Sequence, residues 1–208
     1  PVTERAKDLA SKMSLEDISG LMLYSSHQSI PSGSRGYGSS VYNGKPFEES
    51  GAASSDLSDG QKKFLTDDHL RHVLITSVES PAFAESLYLG IPVNTSSDPR
   101  HGSDSYAEFN AGAGGAISMW PGTLGIAASF DPELMKQFGE IGSVEYRALG
   151  ITTALSPQID LATEPRWSRF DGTMGEDPDL TTDLARAYVD GFQSSDGGDW
   201  GTQSVNAM

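Results

Sequence analysis

Asp98, Arg100 and His101 lie together in the segment SSDPRHGS (96–103), directly after a predicted strand. A carboxylate at the end of a strand can accept hydrogen bonds from two adjacent sugar hydroxyls, and such charge-assisted bonds are stronger than neutral ones. The same residue types also suit a structural loop, in which Asp98 caps local backbone and pairs with an arginine at the surface. Spacing alone leaves both interpretations open.

A second cluster follows the predicted strand at 151–160, in the segment TEPRWSRFDGTMGEDP (163–178). Arg166 and Arg169 each present a rigid fork of donors that suits hydroxyls and carboxylates. Trp167 offers an apolar platform on which a pyranose ring can rest, although it can equally be a core residue. The segment therefore suits a sugar-binding loop, with Trp167 either in that loop or in the core.

Two further patterns make weaker predictions. The glycine-rich run AGAGG (111–115) lacks the full dinucleotide fingerprint and is not held tightly between a strand and a helix, which argues against nucleotide binding. His69 and His72, beside Asp67 and Asp68, have a spacing that could hold a metal ion on a helix, but no third set of ligands accompanies them. We therefore predict no metal site and no cofactor.

Start signals and apolar stripes predict two long helices in the second half of the chain. Asp131 with Pro132, and Asp177 with Pro178, match an N-cap followed by proline in the first turn. Gly150 is a stop signal for the first of these helices. The predicted apolar faces are Leu134, Phe138, Ile141 and Ala148 on the first helix and Leu180, Leu184, Tyr188 and Phe192 on the second.

Short β-type runs alternate with these helices, at 71–77, 91–97 and 151–160, with a further helix predicted at 80–90. This alternation favours a parallel α/β fold, either a doubly wound sheet or a (β/α)8 barrel. A full barrel needs about 250 residues. Because a long irregular loop at about 25–60 must also be accommodated, 208 residues suit the N-terminal portion of a barrel of the TIM type, with the domain spanning 1–208.

Composition excludes several classes of partner and chemistry. The net charge of −15 disfavours nucleic acid and anionic membrane surfaces, and a neutral sugar is compatible with it. The chain has no cysteine, so disulfides and thiolate chemistry are excluded. No apolar run approaches the ~20 residues of a membrane span, and the first residues do not resemble a signal peptide.

Four segments, taken in order, resemble glycoside hydrolase family 3. They are RAKDLASKMSLEDISGLM, LGIPVNTSSDPRHG, SMWPGTLGIAASFDPELMKQFGEIGSVEYRALGI and SPQIDLATEPRWSRFDGTMGEDPDLTTDLARAYVDGFQ. The resemblance implies a (β/α)8-type barrel that hydrolyses terminal β-linked glucose or similar sugars with retention. It also favours an exported protein, either periplasmic or extracellular.

By the same resemblance, Asp98 corresponds to the family's acidic residue that binds hydroxyls of the non-reducing-end sugar, and Arg169 corresponds to its sugar-binding arginine. Arg100, His101, Arg166 and Trp167 take supporting roles. The chain departs from the family pattern at Ser168, usually glycine, and at Gly172, often glutamate.

The family's nucleophile and acid/base residues come later in its pattern than the last segment matched here. We therefore expect these residues to supply part of a sugar subsite, to rely on the remainder of the parent polypeptide, and to be inactive alone. A non-catalytic carbohydrate-binding or interaction domain is the alternative. A barrel enzyme for phosphorylated metabolites is a weaker one, because the chain is acidic and has no convincing phosphate loop.

Overall fold

The chain forms two units, Pro1–Thr95 and Ser96–Met208, each with its own internal packing. The structure, a computed structural model, describes residues 1–26, 41–46, 49–52, 56–74, 89–98, 117–194 and 200–208. Most of the helix predicted at 80–90 lies outside the described residues, and so do Arg100, His101 and the AGAGG run.

In the described part of the first unit the elements are, in chain order, α1 (Val2–Ala10), α2 (Leu15–Leu21), β1 (Tyr24–Ser26), β2 (Val41–Tyr42), β3 (Lys45–Pro46), α3 (Asp59–Thr66) and β4 (His72–Leu74). β5 (Asn94–Ser97) runs across the division between the units and begins later than predicted. β1 and β4 pair in parallel, and the amide of Asn94 donates to the carbonyl of Arg71 at 2.7 Å. The first unit therefore contains parallel pairing, as the alternation of elements predicted.

A short hairpin lies inside the stretch predicted as an irregular loop. β2 and β3 pair antiparallel around Asn43 and Gly44, both in the left-handed region at φ 50° and 77°. An Asn-Gly pair suits this tight turn because both residues tolerate positive φ. The two carboxylate oxygens of Asp59 accept from the amides of Asn43 and Gly44, each at 2.9 Å, and so attach the hairpin to the first turn of α3.

The second unit continues with α4 (Thr123–Ala127), α5 (Pro132–Ala148), β6 (Thr153–Ala154), a 3-10 turn (Phe170–Gly172), α6 (Pro178–Gln193) and β7 (Asn206–Ala207). Within it, β6 pairs in parallel with the end of β5 on one side and with β7 on the other. This arrangement confirms the predicted α/β class with a parallel sheet. Among the described residues, no helix has the length and apolar character needed to cross a bilayer.

The starts of α5 and α6 are those predicted. The Asp131 carboxylate accepts from two amides of the first turn of α5, and Asp177 accepts from the amide of Leu180 at 2.8 Å. α5 ends at the predicted stop, since Gly150 adopts φ 77°. Local capping chemistry therefore sets these boundaries.

The predicted apolar face of α5 is wrong except at Phe138. Ile141 is 36% exposed and Ala148 is also exposed. The helix buries instead the neighbouring face, rotated by about one residue step, roughly 100°. Its members are Met135, Phe138, Gly139, Gly142, Ser143 and Tyr146. On α6 the prediction holds for Leu184, Tyr188 and Phe192, which are all buried.

Glycines allow α5 and α6 to approach closely. A Cβ on Gly191 would lie 2.4 Å from the carbonyl oxygen of Lys136 and 2.9 Å from the Cα of Gly139. Aromatic rings fill the space beside this contact: Tyr188 stacks on Phe192 with centroids 4.8 Å apart. The buried face of α5 is therefore the face that α6 can reach, and not the more apolar one.

Candidate functional site

A cavity of about 120 Å³ lies in the second unit, next to the carboxyl ends of β5 and β6. Asp98 directly follows β5, and Leu155 and Ser156 directly follow β6. Because parallel strands end at the same edge of their sheet, residues that follow them converge there. The lining consists of Asp98, Pro121, Gly122, Thr123, Phe138, Leu155, Ser156, Pro157, Gln158, Arg169, Asp171, Gly172 and Tyr188.

Asp98 and Arg169, the two residues predicted to bind substrate, both line this cavity. Asp98 is half-buried, whereas Arg169 is exposed and immediately precedes the 3-10 turn. The structure therefore brings together an anionic and a cationic group from distant parts of the sequence. A carboxylate accepts hydrogen bonds and a guanidinium donates them. Asp98 can therefore accept a hydrogen bond from a ligand hydroxyl, and Arg169 can donate one to a hydroxyl oxygen.

Gln158 contacts Arg169 at two points. The Nη2 of Arg169 donates to the Oε1 of Gln158 at 2.9 Å, and the Nε2 of Gln158 donates to the Arg169 carbonyl at 2.9 Å. The segment carrying Gln158 was predicted as part of a strand, but β6 ends at Ala154 and Gln158 lies in irregular chain beyond it. Its contact with Arg169 was not predicted.

The cavity floor is aromatic. Phe138 from α5 and Tyr188 from α6 are buried and have their ring centroids 5.7 Å apart. The hydroxyl of Tyr188 is hydrogen-bonded to that of Ser156 at 2.5 Å. Burial raises the pKa of the Tyr188 phenol, and the negative charge of Asp98 raises it further. Tyr188 is therefore neutral at physiological pH, and it lines the cavity as a buried residue.

A chain of hydrogen bonds holds one wall of the cavity, next to Pro121 and Gly122. Both carboxylate oxygens of Glu145 accept from Ser118, one from its amide at 2.9 Å and one from its hydroxyl at 2.8 Å. The indole of Trp120 donates to the same hydroxyl at 3.0 Å and packs edge-on against Phe138. The carboxylate of Glu145 is therefore bound by the segment that leads into the wall.

Arg166 and Trp167 do not line the cavity with Arg169. They line a separate shallow hollow, together with Leu161, Thr163 and Glu164. Arg166 forms two side-chain bonds to Glu164, at 2.8 and 2.7 Å, and this contact lowers the pKa of Glu164 to about 2. The amide of Phe170 donates to the Trp167 carbonyl at 3.1 Å. Both residues thus belong to the turns that lead into and out of Arg169.

The paired histidines have other contacts. The Nδ1 of His69 lies 2.5 Å from the Oδ1 of Asp17, in the first turn of α2, and the Nδ1 of His72 lies 2.8 Å from the side-chain nitrogen of Asn94. In the part of the chain that the structure describes, no group of three or more His, Cys, Asp or Glu residues could hold a metal ion.

Asp171 is a cavity residue to which the sequence pattern assigned no role.

Comparison with known proteins gives consistent matches. The model of the Glycosyl hydrolase family 3 N terminal domain matches residues 67–205. The chain is 41% identical over 201 residues to the periplasmic beta-glucosidase/beta-xylosidase of Dickeya chrysanthemi, covering 95% of this chain and 30% of that protein. It is 36% identical over 217 residues to beta-glucosidase C of Emericella nidulans, covering 100% of this chain and 32% of that protein. The chain therefore spans about a third of the length of these relatives.

Among solved structures, the beta-glucosidase from Listeria innocua in complex with glucose matches with a TM-score of 0.67 and 27% identity. The match covers 98% of this chain and 26% of that one. The similarity thus includes both units of the chain and the residues around the cavity.

Proposed function

Because the chain belongs to glycoside hydrolase family 3, we propose that the protein hydrolyses terminal β-linked glucose or a similar sugar from the non-reducing end of a glycoside. The α/β elements described above form the N-terminal portion of a (β/α)8 barrel in this proposal. The relative from Dickeya chrysanthemi is periplasmic, which supports export of this protein as well.

The convergence of Asp98 and Arg169 on one cavity is the observation that supports the proposal. A sugar ring has an apolar face and a rim of hydroxyls, and the cavity offers an aromatic floor with charged groups at its edge. Charge-assisted hydrogen bonds to hydroxyls are directional, so they fix the orientation of the ring as well as its position.

Asp98 and Arg169 hold the sugar and do not react with it in this proposal. A retaining mechanism needs two carboxyl groups about 5 Å apart on either side of the scissile bond, one as nucleophile and one as acid and base. We assign neither role to a residue of this chain. A hydrogen bond that a ring hydroxyl donates to a carboxylate strengthens as the sugar acquires positive charge in the transition state, so Asp98 lowers the barrier by binding, and Arg169 fixes the orientation of the ring.

The test is substitution of Asp98 by alanine in the full-length gene product, with hydrolysis of an aryl β-glucoside as the assay. Each charge-assisted bond contributes about 1.5–3 kcal/mol, so losing two costs at least about 3 kcal/mol. We expect kcat/KM to fall by roughly 100-fold or more.

The matched control is Asp179→Ala, an exposed carboxylate on the first turn of α6 that does not line the cavity. It should leave kcat/KM unchanged. Normal kcat/KM in a folded Asp98→Ala variant would refute the role of Asp98. Binding of glucose without hydrolysis of any β-glycoside would favour a non-catalytic binding module instead.

A further inference from the structure

Gln158 makes both of its amide bonds to a single residue, Arg169. We propose that Gln158 is a positioning residue that directs the Arg169 guanidinium into the cavity, and that position 172 is glycine in order to leave room for it. The proposal rests on the function proposed above, in which Arg169 binds the sugar.

The geometry determines which way the Gln158 amide faces. Its oxygen lies opposite a guanidinium nitrogen, which can only donate, and its nitrogen lies opposite a carbonyl oxygen, which can only accept. Turning the amide over would place donor against donor and acceptor against acceptor. The side chain of Gln158 therefore connects the guanidinium of Arg169 to the backbone of the same residue in one defined arrangement.

Arg169 needs such a partner because it is exposed and lies in a turn. An arginine side chain loses rotamer entropy when it is held in one conformation. A neutral acceptor limits this motion and leaves the positive charge of the guanidinium available to a ligand. A carboxylate in the same place would largely neutralise that charge.

Gly172 provides the space. A Cβ built at this position would lie 2.8 Å from the Oε1 of Gln158 and 3.3 Å from its Cδ. Gly172 is not among the glycines with positive φ, so its backbone conformation does not by itself require glycine. The steric contact with Gln158 is the reason that we infer for glycine here, where the family often has glutamate.

The principal variant is Gln158→Leu, which keeps approximately the same volume and removes both hydrogen bonds. In the full-length gene product we expect kcat/KM for the aryl β-glucoside to fall about tenfold, mainly through a higher KM because the lost contacts act on sugar binding. In an Arg169→Ala background the same substitution should have almost no further effect, since a residue acting through Arg169 has nothing left to position. Gln137→Leu, at an exposed site on α5, is the matched control.

Substitutions at position 172 test the steric part of the proposal. Gly172→Ala should lower kcat/KM about as much as Gln158→Leu, and it should cost much less in a Gln158→Ala background, where the side chain that it displaces is gone. Equal effects of Gly172→Ala in both backgrounds would contradict the steric part of the proposal.

The outcomes separate the two proposals. If Arg169→Ala leaves kcat/KM unchanged, the sugar-binding role of Arg169 is wrong. If Arg169→Ala impairs the enzyme but Gln158→Leu has no effect, or has the same effect in both backgrounds, the positioning role of Gln158 is wrong. A crystal structure of Gln158→Leu tests positioning without any activity measurement: a guanidinium in its original place would overturn the inference, and a displaced one would support it.

Discussion

The close contact between α5 and α6 predicts that alanine at position 191 destabilises the fold, although alanine is the better helix former. The added Cβ would lie 2.4 Å from the carbonyl oxygen of Lys136, 2.9 Å from the Cα of Gly139 and 3.0 Å from the amide nitrogen of Glu140. Ordinary contact begins near 3.4 Å. All three neighbours are backbone atoms, so no side chain can rotate away and the two helices must separate.

Two opposing effects determine how much the free energy of unfolding changes: the gain in helix propensity and the cost of overpacking. Replacing glycine by alanine inside a helix gains about 1 kcal/mol of helix propensity. Overpacking a tight contact costs about 1–3 kcal/mol, and the upper end applies when backbone must move. We therefore expect Gly191→Ala to lower the free energy of unfolding by about 2 kcal/mol.

Urea unfolding followed by tryptophan fluorescence measures this change, because Trp120 packs against Phe138 beside the helix contact. Gly139→Ala should be less destabilising, since its nearest neighbour would be at 2.9 Å. Gly125→Ala, whose Cβ would meet only the Pro121 Cβ at 3.1 Å, should change stability by less than about 1 kcal/mol. A Gly191→Ala protein as stable as the parent would refute the reasoning.

Two further predictions concern the cavity wall and the turn before Arg169. Glu145→Ala removes both acceptors of Ser118, so kcat/KM should fall about tenfold, whereas Glu133→Ala, an exposed change on the same helix, should be neutral. The pKa of Glu164 is about 2, below its ordinary 4.5, because Arg166 favours the charged form. Their pairing therefore persists above the ordinary pKa and is lost as pH falls through about 2. In Arg166→Ala, which keeps the amide that donates to Glu164, carboxyl NMR should find the pKa of Glu164 raised from about 2 towards its ordinary value, and an unchanged titration would contradict this.

Features set by local chemistry were predictable from the sequence. Asp131 and Asp177 cap their helices because a carboxylate next to an N-terminal proline satisfies amides of the same turn. The sequence pattern also indicated that Asp98 directly follows a strand. In the structure, Asp98 and Arg169 line one cavity. The helix caps needed only neighbours in sequence, whereas the roles expected of Asp98 and Arg169 came from the resemblance to the family.

Features set by distant neighbours were not predictable. The apolar residues of α5 favour the face with Leu134 and Ile141, yet α6 packs where Gly139 allows close approach. Gln158 has no distinguishing sequence context, and only the fold brings it against Arg169. In each case a contact between segments far apart in the chain outweighs the local pattern.

Phe138 and Tyr188 form the cavity floor and also belong to the aromatic packing between the two long helices. Any mutation that reshapes the floor therefore also disturbs the interior of the domain, and a large-to-small change there costs about 3–5 kcal/mol. We therefore expect substitutions that change the ligand to be better tolerated at the rim of the cavity. Replacing Thr123 or Asp171 there should cost little folding stability. A library that randomises those two rim positions should retain far more folded clones than one that randomises the floor.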